Sequence, residues 1–304
     1  MSLGFLGAGK VAQTIAKGLI TAGAISAESV AASAPSDRCL KEIRELGIGF
    51  THSNKELLQM SEIVFLAVKP PLIGKLLKDV SAHIEDRHLV ISLAAGISID
   101  FIESRVSAGT RVIRAMPNTP SVIGEGATVF SVGSNVRNGD SEIARNLFSR
   151  LGICLQGDES IVDAVMAVSG SGPAYAYVAI DALADGGVKM GLPETLQSNC
   201  SSNSIGSLVD KQFANSFILF WKIITGRFYS IKFVSHSGSA KMVLHGKKHP
   251  SELKDDVCSP GGTTIDAIHE LEKGGFRKCL IEAVEAACLK ARKLNEQNYY
   301  NNKK

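Results

Sequence analysis

Short apolar runs alternate with helix-like patterns over residues 1–160. Strands that alternate with helices in this way predict βαβ units and an α/β domain with a doubly wound, mostly parallel sheet. The predicted strands are Leu3–Leu6, Val30–Ser33, Ile63–Val68, Leu89–Leu93, Val112–Ala115 and Ala127–Val132. The clearest predicted helices between and after them are Val11–Ala22, Leu72–His83 and Glu142–Leu151.

The pattern changes at about Ile161, where strand signals stop and alanine-rich helical patterns begin. Helices are predicted at Ala174–Met190, Ile265–Lys273 and Phe276–Leu294 from their apolar spacing. A single helical layer has an apolar face that needs a partner surface. We therefore expect residues 161–304 to form an all-α domain that makes a homodimer. The alternative is that this layer packs against its own first domain.

The stretch 198–237 does not fit the second domain. It holds seven of the 18 aromatic residues of the chain (12 Phe, 5 Tyr, 1 Trp) but a single alanine. This change of composition marks an atypical insert, either specific to one lineage or translated from non-coding sequence. In both cases the insert would interrupt the helical domain.

Composition excludes several classes of function. The net charge of +3 is small and evenly spread, which argues against nucleic acid or an anionic membrane as a partner. Six scattered cysteines lack the spacing of a metal site or a disulfide framework, so we expect no metal and a reducing compartment. Met1 is followed at once by the apolar run from Leu3, which leaves no room for a presequence, and we expect a cytoplasmic protein.

The first glycine motif follows the first predicted strand and opens the first predicted helix. It has Gly7, Gly9 and Ala12 at the three small positions of a dinucleotide-binding turn. The first glycine permits the tight turn, the second admits the pyrophosphate, and the alanine allows close packing of helix and strand. We therefore predict a nucleotide site here.

The end of the second strand bears on the choice of nucleotide. An enzyme that uses NAD normally has an acidic residue there to bind the ribose 2′-hydroxyl. This chain has Ser33, Ser36 and Arg38 in that region, which suits a 2′-phosphate, so NADPH is favoured over NADH. Asp37 lies beyond the turn, where a helix cap is the expected role.

The next two predicted strands also end in candidate ligand-binding residues, at the sheet edge where open α/β folds bind ligands. Lys69 follows the third strand and either faces the cofactor phosphates or is an ordinary exposed lysine. The small residues Ala94 to Gly96 follow the fourth strand and either leave room for a nicotinamide ring or form a plain tight turn.

The segment Cys258–Thr264 has the composition of a small-anion site. Pro260 restricts the backbone, Gly261 and Gly262 remove Cβ atoms, and two threonines add hydroxyl groups. A helical pattern begins at Ile265, so unpaired backbone N–H groups at its start would bind a carboxylate. An ordinary glycine-rich helix start is the alternative interpretation.

Six strings in the two predicted domains are specific: Phe5–Gly9, Ala67–Pro70, Arg114–Pro120, Val168–Tyr175, Asp181–Gly191 and Leu253–Thr264. On these strings the chain resembles the pyrroline-5-carboxylate reductase family, over residues 1–197 and 238–294. The resemblance implies an N-terminal Rossmann domain, and a helical domain interleaved with that of a second subunit in larger rings of dimers. It also implies reduction of L-1-pyrroline-5-carboxylate to L-proline, the last step of proline biosynthesis, with NADPH or NADH.

The resemblance further implies particular contacts. Cofactor contacts carried over by position are Gly7, Ala8, Gly9, Lys10, Val11, Ser33, Pro35, Asn54, Ala67, Val68, Lys69, Pro70 and Ala95. Substrate contacts are Ser259, Gly262, Thr263 and Thr264, with Ser171 and Gly172 nearby.

The implied chemistry makes light demands on acid–base groups, because a protonated C=N bond is already electrophilic and mainly needs positioning. We expect Thr264 to hydrogen-bond the ring nitrogen as an orienting group, with Ser259 as the second catalytic candidate. A helix cap is the alternative role for Thr264. None of the seven histidines is placed as an acid or base, and His249 is expected to be structural.

Two other functions stay open. One is a nucleotide-binding protein that is inactive because the insert disrupts the dimer. The other is a dehydrogenase of hydroxy acids, which would need a catalytic lysine with a helical asparagine four residues later. Lys189 is followed at that distance by Pro193, which weakens the second alternative.

Overall fold

The structure is a computed structural model that describes residues 1–193, 229–246 and 248–301. It consists of two compact units, Met1–Gly170 and Ser171–Lys304. The division therefore falls after Gly170, whereas the sequence pattern predicts it after residue 160. Across the described residues, no helix combines the length and the apolar character needed to cross a bilayer.

The first unit is built on one eight-stranded sheet with the order β3-β2-β1-β4-β5-β6-β7-β8. All neighbouring pairs are parallel except β6 with β7, which confirms the predicted α/β class. The strands are β1 Leu3–Leu6, β2 Val30–Ser33, β3 Gly49–Thr51, β4 Ile63–Leu66, β5 Leu89–Ser92, β6 Arg111–Met116, β7 Gly126–Val132 and β8 Gly152–Gln156.

Helices connect the strands of this unit. They are α1 Lys10–Thr21, α2 Leu40–Glu45, α3 Asn54–Met60, α4 Pro70–Val80, α5 Ile99–Glu103, α6 Asp140–Ser149 and α7 Glu159–Val165. Short 3₁₀ helices include Asp37–Cys39 after β2, and a π-helix, Met166–Gly170, follows α7.

The centre of the sheet is buried on both faces. Every residue of β1, β4 and β5 is buried, as expected for parallel strands covered by helices on both sides. The rings of Phe5 and Phe65 stack at a centroid distance of 4.6 Å. Leu6 pairs with Ser33 on one side and with Leu66 on the other, so the carboxyl ends of β2, β1 and β4 are level. This alignment brings the three following loops to one sheet edge.

The described part of the second unit is helical, as predicted. Its helices are α8 Gly172–Lys189, α9 Tyr229–His245, α10 Pro250–Val257, α11 Thr263–Lys273 and α12 Phe276–Asn301. Helix α8 is central and contacts the other four. It is rich in alanine and glycine, and these small side chains allow close approach: a Cβ on Gly186 would lie 3.0 Å from the Cβ of Val284 on α12.

The predicted insert, residues 198–237, lies outside the described residues as far as residue 228. Its last part, from residue 229, is helical and runs without a break into residues 240–245 as helix α9. The end of the aromatic-rich stretch therefore continues into a helix that contacts α8.

Candidate functional site

The loop after β1 requires glycine at its first position. Gly7 has φ of 113°, a conformation that L side chains rarely adopt, and its N–H donates to the Ser33 carbonyl at 3.0 Å. A Cβ on Gly7 would lie 2.7 Å from the carbonyl oxygen of Ala67. The turn thus packs directly against the chain leaving β4, as the dinucleotide-binding motif requires.

Helix α1 begins against open space. Gly9 is its N-cap residue, and a Cβ placed there would meet no atom within 4 Å among the described residues. Ala12 is buried where helix and strand pack. Lys10 and Val11 are exposed on the first turn, whereas Ala8 is buried. The start of a twelve-residue helix, with open space at its cap among the described residues, fits a diphosphate, which binds to backbone N–H groups.

The chain after β2 brings together other predicted cofactor residues. The buried hydroxyl of Ser33 donates to Asn54 Oδ1 at 2.7 Å, which ties the end of β2 to the first residue of α3. Pro35 is exposed beside them. Ser33 and Asn54 therefore lie next to each other at the carboxyl end of β2.

The expected capping role of Asp37 is wrong. The N-cap of the 3₁₀ helix is Ser36, and the Asp37 carboxylate lies 3.2 Å from His52 Nε2. His52 follows β3, and β2 pairs with β3 along the sheet. Because strand pairing rather than local sequence joins the two residues, no capping pattern could have indicated this contact.

Two further loops reach the same edge. Ala67 N donates to the Leu6 carbonyl at 2.9 Å, so the chain leaving β4 stays against β1. Val68 is half-buried, and the exposed Lys69 is the N-cap of α4, whose first residue is Pro70. After β5, Ala95 is half-buried. These residues lie where an open α/β sheet binds a nucleotide.

In the second unit, a tight turn precedes helix α11. Gly261 has φ of 65°, and Gly262 N donates to the Ser259 carbonyl at 3.0 Å. A Cβ on Gly262 would lie 2.3 Å from Ser259 Oγ, so the seryl hydroxyl fills the place that a side chain would take. Ser259 and Thr263 are exposed at this turn.

Two predicted hydroxyl groups meet at this helix start. Ser171 Oγ and Thr264 Oγ1 are 2.9 Å apart, and both residues are buried, with exposed fractions of 2% and 8%. Ser171 is the N-cap of α8, and the buried Gly172 is its first residue. The contact therefore joins the starts of two helices. Gly262 is the N-cap of α11, so Thr264 is not the cap that the alternative interpretation proposed.

Apolar packing holds the two helix starts together. Ala174 and Val178 of α8 form a buried cluster with Ile268 of α11, and Cys258 packs against its margin. Small and branched side chains at this spacing fix the separation of the helices, and with it the hydroxyl contact.

An ion-pair network lies along α8. Arg277 donates to Asp181 and to Asp185, each at 2.7 Å. Partial burial alone would lower the pKa of the Arg277 guanidinium, but hydrogen bonding and charge from Asp181, followed by Asp185, outweigh burial and raise that pKa. Arg277 therefore remains a fixed cation that joins α12 to α8.

His249 has the structural role expected for it. Its Nδ1 accepts from Ser251 N at 3.2 Å, and its own backbone N–H donates to Glu252 at 3.1 Å, which forms a capping box at the start of α10. Helix α10 ends where the Cys258–Thr264 turn begins. The cap thus fixes the helix from which that turn emerges.

The family string at Arg114–Pro120 carried no predicted role, and the structure gives it one. The buried Arg114 pairs with Glu159 and Asp163 of α7. Asn118 Nδ2 donates to the Ser169 carbonyl at 3.2 Å, and its Oδ1 accepts from Ala127 N at 2.8 Å. The string therefore anchors α7 and the π-helix to the sheet. These contacts join residues far apart in sequence, so spacing gave no signal for them.

Comparison with known proteins identifies the family of the chain. The family model described as pyrroline-5-carboxylate reductase dimerisation matches residues 159–209 and 231–294. A second model, described as NADP oxidoreductase coenzyme F420-dependent, matches residues 2–96. The first model leaves residues 210–230 unmatched, a shorter stretch than the predicted insert.

Two relatives and one solved structure illustrate the similarity. The chain is 42% identical over 299 residues to pyrroline-5-carboxylate reductase 2 of Homo sapiens, covering 97% of this chain and 84% of the relative. It is 39% identical over 301 residues to pyrroline-5-carboxylate reductase 3 of Danio rerio, covering 99% and 94%. The crystal structure of Plasmodium falciparum pyrroline carboxylate reductase with NADP bound has a TM-score of 0.64 and 30% identity, with coverage of 95% and 96%. A relative of 42% identity covers 97% of this chain, so the chain belongs to the pyrroline-5-carboxylate reductase family.

Proposed function

We propose that this protein reduces L-1-pyrroline-5-carboxylate to L-proline with NADPH, and less efficiently with NADH. The observation that carries the proposal is the buried hydroxyl pair of Ser171 and Thr264 at the joined starts of α8 and α11. Backbone N–H groups at helix starts favour anions, and hydroxyl groups add directed hydrogen bonds. A small cyclic imine with a carboxylate has both features that such a site binds.

The first unit would bind the cofactor through the residues at its sheet edge. The diphosphate would be held by the first loop, residues Gly7, Ala8, Gly9, Lys10 and Val11. The adenosine end of the cofactor would contact Ser33, Pro35 and Asn54. The rest of the cofactor would contact Ala67 to Pro70 and Ala95. The open space at Gly9 supports this assignment. The similar Plasmodium falciparum enzyme was crystallised with NADP bound, which supports the choice of NADPH. When bound, the reduced nicotinamide supplies the hydride.

The second unit would bind and orient the imine. Gly262 and Thr263 at the start of α11 would hold the carboxylate with their backbone N–H groups, helped by the Ser259 hydroxyl. Thr264 would hydrogen-bond the ring nitrogen, with Ser171 fixing the direction of its hydroxyl and Gly172 nearby. The protonated C=N bond accepts the hydride at carbon, and the ring nitrogen keeps its proton. Positioning is then the main contribution of the protein, worth about 7–11 kcal/mol of barrier in the best cases.

We also propose a homodimer that assembles into larger rings. Three apolar side chains of the second unit are more than two-fifths exposed: Val188 at 45%, Leu192 at 42% and Leu289 at 52%. A partner copy would cover them, and the match to a dimerisation family supports that state. A cytoplasmic location is proposed from the cysteine pattern; the five cysteines that the structure describes are free thiols.

The proposal is tested with the purified full-length chain. NADPH absorbance should fall when L-1-pyrroline-5-carboxylate is added, and L-proline should accumulate in equal amount. Thr264→Val keeps the shape of the side chain but removes its hydroxyl, and we expect kcat/KM to fall at least about tenfold. Thr21→Val, at an exposed position at the end of α1, is the matched control and should be neutral.

The outcomes separate this function from an inactive homologue. A protein that binds NADPH but never oxidises it with the imine would contradict the proposal, provided that a variant lacking residues 210–230 is also inert. Unchanged turnover in Thr264→Val would refute the role of that hydroxyl while leaving the reaction itself in place.

A further inference from the structure

Asp37 and His52 form an ion pair beside the end of β2, and the proposed reaction does not use it. His52 Nε2 lies 3.2 Å from Asp37 Oδ1. The other ring nitrogen, Nδ1, lies 2.8 Å from the carbonyl oxygen of Ala34. Ala34 directly follows Ser33, the last residue of β2. The histidine ring therefore connects the chain leaving β2 with the first acidic side chain after that strand.

The protonation state of the ring decides whether both contacts are favourable. A carbonyl oxygen accepts hydrogen bonds and cannot donate, so Nδ1 must carry a proton. A carboxylate also only accepts, so the 3.2 Å contact of Nε2 with Asp37 is favourable when Nε2 carries a proton as well. Both nitrogens are donors only in the imidazolium form. A neutral ring that keeps its bond to Ala34 would turn a lone pair towards Asp37 and repel it.

This ion pair concerns the position that distinguishes the two nicotinamide cofactors. An acidic side chain after the second strand binds the ribose 2′-hydroxyl of NAD, whereas it repels the 2′-phosphate of NADP. Asp37 is the acidic residue of the sequence segment 33–41. Paired with a cationic His52, its carboxylate is neutralised and held to one side.

We propose that His52 is a specificity-determining residue that makes cofactor preference depend on pH. Protonated, it holds Asp37 and lets the end of β2 accept a 2′-phosphate. Deprotonated, it releases Asp37, which then repels the phosphate and accepts a hydrogen bond from the 2′-hydroxyl of NAD. This inference rests on the proposed function, because it assumes that the first unit binds a nicotinamide dinucleotide.

His52 lies at the surface, near other charged groups. The ring is 57% exposed and the Asp37 side chain 70% exposed, so solvent reaches both. Arg44 of α2 lines the same shallow depression. The carboxylate of Glu56 on α3 accepts from the Thr51 hydroxyl at 2.6 Å. Arg38 is exposed next to Asp37 and is available to a phosphate.

The test measures binding rather than turnover. NADP⁺ and NAD⁺ are titrated into the full-length protein by calorimetry at several values between about pH 5.5 and pH 8.5, the range in which histidine changes charge. The ratio of NADP⁺ to NAD⁺ affinity should fall about two- to fivefold as pH rises, the size expected for an exposed ion pair. The 2′-phosphate also titrates in this range, so variants must supply the reference.

Three variants isolate the ion pair. Asp37→Asn removes the carboxylate. In this variant the ratio of NADP⁺ to NAD⁺ affinity should change with pH only as much as titration of the 2′-phosphate requires. His52→Asn keeps a donor near the Nδ1 position but loses the Nε2 contact, and should show the high-pH preference at every pH. Adding Asp37→Asn to His52→Asn should restore NADP⁺ binding. The matched control is His83→Asn, at the end of a 3₁₀ helix after α4, which should behave like the parent protein.

Two results would overturn the inference: identical pH profiles for the parent protein and Asp37→Asn, or an unchanged affinity ratio in His52→Asn. Neither result depends on catalysis. A protein that binds both nucleotides but reduces no imine would therefore contradict the proposed function and leave this inference untouched. A protein with normal turnover whose ratio of NADP⁺ to NAD⁺ affinity does not change with pH would contradict this inference and leave the proposed function untouched.

Discussion

Helices α1 and α11 start in the same way but in different surroundings. Each follows a glycine N-cap with extended backbone, Gly9 at φ −75° and ψ −177° and Gly262 at φ −88° and ψ 165°. At Gly9 an added Cβ would meet nothing within 4 Å of the described residues, whereas at Gly262 it would lie 2.3 Å from Ser259 Oγ. Thr264 also places a buried hydroxyl in the first turn of α11, bonded to Ser171.

The difference shows how the same backbone arrangement, a helix start after an extended glycine, can suit two different ligands. A diphosphate is large and doubly charged, so it needs unobstructed access to backbone N–H groups. A small carboxylate on a reactive ring must also be oriented, and hydroxyl groups beside the helix start give direction as well as charge stabilisation. The α1 start therefore depends on empty space, and the α11 start on packed neighbours.

The largest expected effect in this comparison is at Gly7. Gly7→Ala adds a Cβ at φ 113° and 2.7 Å from the Ala67 carbonyl, where backbone would have to move. We expect the free energy of unfolding of the first unit to fall by about 2–4 kcal/mol and nucleotide binding to be lost. Urea unfolding followed by circular dichroism measures the first effect, and calorimetry the second.

Gly9→Ala is the matched control, because it makes the same chemical change where there is room. We expect its free energy of unfolding to stay within about 1 kcal/mol of the parent protein. NADP⁺ binding should nevertheless weaken at least about tenfold, since the methyl group occupies the path of the diphosphate. Equal destabilisation by the two substitutions would contradict the view that open space distinguishes the α1 start.

A smaller effect is expected in the α11 site, at Ser171. Ser171→Ala leaves the buried Thr264 hydroxyl without this partner, which should cost about 1 kcal/mol of stability. We expect kcat/KM to fall severalfold, but less than in Thr264→Val, because Ser171 orients the hydroxyl and does not itself bond the ring nitrogen. Ser149→Ala at the exposed end of α6 serves as the control.

Combining the two substitutions sharpens this test. If Ser171 acts through Thr264, adding Ser171→Ala to Thr264→Val should have little further effect on kcat/KM, so that the two changes are not additive. Fully additive losses would mean that Ser171 contacts the substrate independently.

The buried part of the fold was predictable from sequence because parallel strands in the sheet centre are uninterrupted apolar runs. The predicted bounds of β1 and β2 agree with the structure, and β4 and β5 are slightly shorter than predicted. The two strands at the sheet edges, β3 and β8, were missed. β3 has three residues, one of them a glycine, and no residue of β8 is fully buried. Edge strands bury little, so their apolar pattern is weak.

The candidate site also has a part that was predictable from sequence and a part that was not. Gly7 is recognisable because its φ of 113° favours glycine at a fixed position of the turn, and Gly262 because an added Cβ would lie 2.3 Å from Ser259 Oγ. The contact of Ser171 with Thr264 spans 93 positions, and that of Asp37 with His52 depends on pairing of β2 with β3. Such contacts are set by tertiary packing, so one sequence can name the partners only through a family resemblance, as for Ser171, or not at all, as for His52.

The last comparison concerns the reactivity of the thiols of the two units. Burial raises the pKa of Cys154 on β8 to about 11, partly offset by the charge of Arg145. Burial also raises the pKa of Cys258, which Lys254 lowers and Asp255 raises. A raised pKa means less reactive thiolate at neutral pH, about a hundredfold less for a pKa of about 11 than for the usual 9.0. Both thiols should therefore alkylate slowly, and faster as pH rises.

Because the α11 start depends on packed neighbours, labelling Cys258 should abolish imine reduction while NADP⁺ still binds. Iodoacetamide labelling of each cysteine is followed by peptide mass spectrometry at about pH 7, 8 and 9, alongside NADPH oxidation. Loss of activity should follow the labelling of Cys258, and Cys258→Ala should be protected from it. Cys154, whose packing supports the other unit, is the internal reference and should react later. Loss of nucleotide binding in step with Cys258 labelling would instead mean that the two helix starts are not independent.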